Sequence, residues 1–129
     1  MIYSKNQIEL LAEALKGSVA ARDRLKLESP ELVMLEAGIM TEVPAMQWLI
    51  KNHKVLAMFM DGVHGNKSAV RILMAMKQFG FAAVANYVNG DDNAGEWLKN
   101  NHLYHYLKLA EGIKYAHKHR GSAPTSPFS

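Results

Sequence analysis

Histidines and carboxylates close to residue 100 are the first candidates for chemistry in this sequence. His102 and His105 are three residues apart, a spacing that can present two imidazoles on one helical face as metal ligands. Asp91, Asp92 and Glu96 precede them and would supply a carboxylate if the chain folds back. The simpler interpretation is an exposed turn with a helix cap, followed by partly buried structural histidines. A metal or enzyme site around His102 and His105 is therefore the weakest alternative, and we predict no catalytic residue, bound metal or cofactor.

Other catalytic signatures are missing from the sequence. Residues 62–68, G-V-H-G-N-K-S, superficially suggest a phosphate-binding loop, but the glycine spacing is wrong and no strand leads into it. We expect Asn66 to cap the next helix instead. The chain has no cysteine, which excludes disulfides, a thiol nucleophile and cysteine-ligated zinc. Whether the protein has any enzymatic activity stays open, and the sequence favours none.

Basic residues are concentrated in the C-terminal part of the chain. The net charge is +3, and residues 99–129 contain five Lys or Arg against Glu111 alone. Tyrosines and histidines alternate with these bases, and such a surface can neutralise phosphates while aromatic rings stack on bases. Nucleic-acid binding is accordingly the second functional hypothesis, with the expected contact residues Lys108, Lys114, Lys118 and Arg120.

A short motif occurs twice in the sequence. Residues 48–53 read W-L-I-K-N-H and residues 97–102 read W-L-K-N-N-H. Two readings are open, a shared active-site motif or an internal structural repeat, and the surrounding residues favour the repeat. Equivalent positions of stacked units lie on one side of an array, where tryptophans can anchor a partner protein. We expect that protein-binding surface to include Trp48, His53, Trp97 and His102.

The neighbouring residues carry the repeat signal. The pattern Ala-x-x-x-Leu begins at residues 21, 45, 69 and 94, with spacings of 24, 24 and 25. Glycines at 17, 38, 62, 90 and 112 each follow an apolar stretch and are expected to end helices. N-caps are predicted at Ser4, Ser18, Thr41 and Asn66, and before Pro30. Each unit therefore reads as two short helices.

Helical periodicity dominates the whole chain up to about residue 120. The predicted helices are 5–16, 19–27, 31–37, 43–52, 54–61, 67–79, 81–89, 93–100 and 102–118. We predict an all-α fold, an α-solenoid-like array of about four degenerate 24–25-residue αα units, with an irregular helical bundle as the alternative. Residues 1–120 would form a single domain, and residues 121–129 a disordered Ser/Pro tail.

Composition completes the functional prediction. Eight methionines are many for this length, and methionine is common on surfaces that accept varied partners. Stacked hairpins also offer a concave surface for a partner. No signal peptide or 18-residue apolar span is evident, so we predict a cytoplasmic protein without membrane contact. The first hypothesis is a protein–protein interaction module, and homo-oligomerisation is left open.

Overall fold

The computed structural model describes residues 2–120, and every regular element in that range is an α-helix. The all-α class predicted from the sequence is confirmed, and each of the nine predicted helices is present there. The tail expected at 121–129 lies outside the described residues. The helices are α1 (Lys5–Leu15), α2 (Val19–Glu28), α3 (Pro30–Ile39), α4 (Val43–Asn52), α5 (Lys54–Val63), α6 (Lys67–Ala75), α7 (Phe79–Val88), α8 (Asp92–Asn100) and α9 (Tyr104–His119).

Side-chain caps start several of these helices. The caps predicted at Ser4, Ser18 and Asn66 are confirmed, since each side-chain oxygen accepts a backbone N–H hydrogen bond of 3.1 Å in the first turn. The cap predicted at Thr41 is wrong, because Thr41 adopts a left-handed φ of 65° after α3, and Glu42 takes the N-cap position. Local sequence thus sets these starts by satisfying N–H groups that the helix itself leaves unpaired.

Glycines have two different roles in the fold. Gly17 and Gly90 follow helix ends with φ near 100°, as predicted. Gly38, Gly62 and Gly112 were expected to end helices, but they lie inside α3, α5 and α9. These positions are tightly packed: a Cβ on Gly38 would lie 2.7 Å from the Met60 sulfur. Three predicted helix stops are therefore wrong, because these glycines permit close packing between helices.

The odd-numbered helices form a closed ring. Contacts join α1 to α3, α3 to α5, α5 to α7, α7 to α9 and α9 to α1. Their C-termini meet at one end, where the Asn89 side chain donates to the Gly62 carbonyl (3.0 Å) and His64 Nε2 lies 3.0 Å from the Ile39 carbonyl oxygen. The first and last helices of the described chain therefore pack together, and the array has no open ends.

The even-numbered helices bridge neighbouring members of the ring. Helices α2, α4, α6 and α8 each contact the odd-numbered helix before them and the one after them. Each buries a small and a large residue against that pair, and these are the Ala-x-x-x-Leu residues of the sequence. The four pairs are Ala21 and Leu25, Ala45 and Leu49, Ala69 and Leu73, and Ala94 and Leu98.

The inside of the ring is a filled core. The Phe59 and Phe81 ring centroids are 4.6 Å apart, and Phe81 meets Tyr106 edge-on at 5.6 Å. The concave binding surface expected from stacked hairpins is therefore absent among residues 2–120, because the odd-numbered helices turn this face into the core. Among residues 2–120, the methionines other than Met74 also pack in or against that core, and Met74 is exposed. Within residues 2–120, none of the helices is both long and apolar enough to cross a bilayer.

Candidate functional site

An apolar groove lies between α6, α7 and α8, and we call it the Trp97 groove. Its volume is about 460 Å³. Three large apolar side chains in its wall are exposed to solvent, Met74 by 48%, Phe79 by 43% and Trp97 by 41%. Its full lining is Met74, Phe79, Ala83, Asn86, Asp91, Asn93, Ala94 and Trp97. Adjacent exposed side chains of this size are typical of a surface that contacts another molecule.

Local sequence explains how α8 presents Trp97. Ala94 and Leu98 are buried against α7 and α9, so Trp97, the residue before Leu98, lies at the edge of the buried face. Gly95 lets α8 approach α7 closely, since a Cβ there would lie 2.8 Å from Tyr87 Cε1. Helix α8 therefore holds the indole beside α7, where it is still partly exposed to solvent.

The polar rim of the groove has unused hydrogen-bonding capacity. The side-chain amides of Asn86 and Asn93 have no hydrogen-bond partner within residues 2–120. Asp91 is partly occupied, because its Oδ1 accepts the Asn93 backbone N–H at 3.0 Å as the N-cap of α8. A ligand in the groove would thus meet an apolar floor, two carboxamides and one carboxylate.

A second groove adjoins the first. It is lined by Lys77, Gln78, Phe79, Gly80, Trp97, Leu103 and Tyr106, with a volume of about 280 Å³. Phe79 and Trp97 belong to both grooves, so their rings form a ridge that an incoming chain would contact from either side. Burial raises the pKa of Tyr106 to about 12, so its hydroxyl is neutral at ordinary pH.

Sequence reasoning named Trp97 but missed Phe79 and Met74. The sequence predicted one helix over 67–79 and the next over 81–89, which assigned Phe79 to the end of the first. In the structure α6 ends at Ala75, and Lys77 adopts a φ of 60° before α7 begins at Phe79. Lysine gives little sign of a left-handed turn, a role usually taken by glycine, so no local signal marked this helix end.

Trp48 occupies the position on α4 that Trp97 occupies on α8. It is 38% exposed and precedes the buried Leu49. Helix α4 packs between α3 and α5, whereas α8 packs between α7 and α9. The contacts among the described residues therefore do not unite the two tryptophans in one surface.

His53, which was predicted at the binding surface, has structural partners. Its Nδ1 accepts the Leu56 N–H as the N-cap of α5 at 3.4 Å, and its Nε2 lies 3.2 Å from the Tyr3 hydroxyl. Tyr3 in turn donates to Glu31 at 3.1 Å. This chain of hydrogen bonds ties the N-terminal ends of three ring helices together. Burial, and then the charge of Glu31, raise the pKa of Tyr3.

His102 and His105 do not form the helical pair that a metal site would need. Helix α9 begins at Tyr104, so His102 precedes it, exposed and with a left-handed φ of 58°. His105 lies on α9, where it is buried against α1 and Tyr106. Within residues 2–120 no group of three or more His, Asp or Glu side chains could hold a metal ion. Asp91 caps α8, in agreement with the exposed-turn interpretation.

Three of the four basic residues proposed for nucleic acid already have partners. The Lys108 ammonium lies 2.6 Å from Glu9 Oε2, an ion pair that raises the pKa of Lys108 and lowers that of Glu9. Lys114 lies 3.7 Å above the Tyr87 ring centroid. Arg120 binds the buried Glu36 at 2.7 Å and two carbonyls of α1. Lys118 is exposed on the last turn of α9.

The fold and the groove define a small all-helical protein with a closed ring of helices and an exposed apolar groove on its outside. Comparisons of this chain with protein-family models, with curated proteins and with solved structures found no significant match. The residues of the groove are therefore the basis on which a function can be assigned.

Proposed function

We propose that this protein is a protein–protein interaction module, built from repeated helical pairs, that holds a segment of a partner protein in the Trp97 groove. The observation that carries the proposal is the adjacency of three exposed large side chains, Met74, Phe79 and Trp97, in one groove. Leaving such surface in water costs about 25 cal/mol per Å², which a partner would recover on binding. The repeat interpretation is supported by the four buried Ala-x-x-x-Leu pairs.

The groove chemistry specifies the partner segment. An aromatic or large aliphatic side chain would fill the space between Phe79 and Trp97, because the floor of the groove is apolar and the groove has a volume of about 460 Å³. The amides of Asn86 and Asn93, which are unpaired within residues 2–120, can donate to and accept from the main chain of an extended or turn-forming segment. The residues of the groove therefore suit a segment with one anchor side chain and polar main-chain groups on either side of it.

Charge adds a second requirement. Asp91 is the charged residue among the described lining of the groove, whereas Asp92 and Glu96 of α8 line a different groove. A Lys or Arg next to the apolar anchor would complement the Asp91 carboxylate and speed association. The proposed ligand is therefore a protein segment with one large apolar residue and a neighbouring basic residue.

The nucleic-acid hypothesis has less support. Lys108, Lys114 and Arg120 are engaged within the fold, so phosphate would compete with those contacts. A cytoplasmic location, proposed from composition, suits either hypothesis.

Peptide selection tests the proposal without a known partner. A random displayed peptide library would be selected against the full chain, and the enriched peptides are expected to combine a large apolar residue with Lys or Arg. Adding one of them to ¹⁵N-labelled protein should shift the Trp97 indole N–H signal, while the Trp48 signal serves as an internal control. Peptides that move the Trp48 signal alone, or that bind equally well to Trp97→Ala, would contradict the proposal.

Capture from the source organism distinguishes the other occupants. The full chain would be used as bait with and without nuclease, and Trp97→Ala and Trp48→Ala would be compared. Nuclease-sensitive capture would support the nucleic-acid hypothesis. Self-association in sedimentation that is lost in Trp97→Ala would instead identify a second copy of this chain as the occupant.

A further inference from the structure

The seam between α1 and α9 closes the ring, and it is the most extensive helix pair in the described chain. The two helices run parallel and approach closely, since a Cβ on Gly112 would lie 2.8 Å from the Ala12 carbonyl oxygen. Closer to the N-terminal end of the seam, the ion pair of Lys108 and Glu9 joins the two helices at the surface. Residues about 100 positions apart in sequence therefore hold the ring shut.

A buried imidazole lies in this seam and has no polar partner in the described part of the chain. His105 is 5% exposed, and neither Nδ1 nor Nε2 has a hydrogen-bond partner among the described residues. Its ring packs on Tyr106, with centroids 4.6 Å apart. A neutral imidazole already loses hydrogen bonds to water in such a place, and an imidazolium would lose far more.

The charged groups around His105 do little to favour an imidazolium. From α1 they are Lys5, which opposes a proton on His105, and Glu9, which favours one but is paired with Lys108. Helix α7 contributes no charged side chain. The charged residues of α8 are Asp92, Glu96 and Lys99. They line a groove together with Leu107 and Glu111, and these two residues project from the side of α9 opposite to His105.

We propose that His105 is a proton-operated latch, whose neutral ring permits α1 and α9 to close and whose protonation opens that seam of the ring. Opening would admit water to the imidazolium and release its charge from the apolar interior. Opening the seam separates α1 from α9, while α1 can keep its contacts with α2 and α3, and α9 its contacts with α7 and α8.

The direction of the pH dependence follows from burial. Burial, and then Lys5, lower the pKa of His105, so the opened or unfolded chain binds a proton more readily than the closed ring. The closed seam is fully stable above the ordinary imidazole pKa of about 6.5, and its stability is lost as the pH falls through the lowered pKa of the folded state.

Hydrogen exchange of the full chain at about pH 7.5 and about pH 5.5, corrected for intrinsic rates, tests the latch on either side of the ordinary imidazole pKa. We expect α1 and α9 to lose protection at the lower pH while α4 and α5 retain it. His105→Phe and His105→Gln should remove this localised loss, since neither side chain takes up a proton. His119→Gln, an exposed change on the same helix, is the matched control and should behave like the parent.

Another histidine could contribute to acid sensitivity, and a separate variant isolates it. Burial also lowers the pKa of His117, near the other end of α9, so His117→Gln is measured in parallel. If both His105 variants fail to fold, the imidazole of His105 is titrated by NMR in the parent chain. The latch would be overturned if all helices lost protection evenly, or if the loss persisted in the His105 variants. It would also be overturned if His117→Gln alone abolished the loss, or if His105 titrated without any change in the α1 and α9 signals.

Discussion

The segments 48–53 and 97–102 are nearly the same in sequence, and their helical parts are nearly the same in structure. In each, an exposed tryptophan precedes a fully buried leucine. In each, an asparagine side chain donates to the tryptophan carbonyl four residues earlier, at 2.9 Å for Asn52 and 2.8 Å for Asn101. The shared letters therefore encode one helix end, used twice as scaffold.

The segments differ from the histidine onward. His53 is extended, with φ −146°, and is the only residue between α4 and α5, so it also caps the second helix. His102 adopts a φ of 58° in a three-residue connection between α8 and α9. The helical hydrogen bonds are local, but the conformation after the helix depends on where the next helix must pack. The same histidine consequently acts as a cap in one copy and as a left-handed turn residue in the other.

The surroundings of the two tryptophans also differ. Trp97 has Phe79 and Met74 beside it in a groove, and both come from helices that precede α8 in the chain. A motif can repeat the anchor, but a groove needs neighbours from other units. We therefore expect the two copies to contribute equally to stability and unequally to binding.

The largest expected effects concern what the two copies share. Leu49→Ala and Leu98→Ala should each lower the free energy of unfolding by about 2–5 kcal/mol, because both side chains are fully buried. Denaturant unfolding measures both. Leu27→Ala is the matched control, and since Leu27 is exposed the change should stay within about 0.5 kcal/mol. A large loss for only one of the two buried leucines would show that the copies are not equivalent scaffold.

Binding should separate the two tryptophans. Trp97→Ala should weaken a selected peptide by about 2 kcal/mol, roughly 30-fold in Kd, if the indole is the anchor of the groove. Trp48→Ala should leave Kd nearly unchanged. Calorimetric titration gives both values, after circular dichroism has shown that each variant is folded. Equal losses in the two variants would mean that both segments contact the ligand, contrary to the proposal.

Glycine at the two histidine positions should act with opposite signs. His102→Gly should stabilise by up to about 1 kcal/mol, because glycine adopts the left-handed conformation without the Cβ clash. His53→Gly should destabilise by about 1–2 kcal/mol through loss of its cap and its Tyr3 contact. Thermal unfolding reports both changes. His102→Ala retains the backbone strain, so stabilisation by alanine as well would disprove the backbone explanation.

The smallest effect should again be shared. Asn52→Ala and Asn101→Ala each remove one exposed hydrogen bond to a tryptophan carbonyl, and each should cost about 0.5–1 kcal/mol. Denaturant midpoints of the two variants should agree within the error of the measurement. A clear difference between them would indicate that one asparagine has a further role in its connection.

Much of the fold was predictable because its signals are local. Apolar residues three and four apart, with oxygen-bearing caps such as Ser4 and Asn66, located the helices to within a few residues. The Ala-x-x-x-Leu pattern correctly marked the buried face of each bridging helix. Local signals failed at Lys77 and Thr41, where packing holds residues other than glycine in a left-handed turn, and at Gly112, where glycine serves a helix crossing.

The candidate site was predictable only in part. Trp97 could be named from its repeated motif, but Phe79 and Met74 join it through tertiary contacts that no spacing encodes. Conversely, the histidine spacing suggested a metal pair that the fold separates, because a turn places His102 outside α9 and the α1 seam buries His105.

The sequence by itself determined the helices and the buried face of the four bridging helices, since both follow from periodicity within a few turns of chain. Tertiary structure alone decided that α1 packs against α9, that the ring has a filled interior instead of a concave surface, and that the Trp97 groove lies on its outside. Those outcomes depend on contacts between side chains of helices that are distant in sequence. The free energy of that packing depends on all the helices of the ring together.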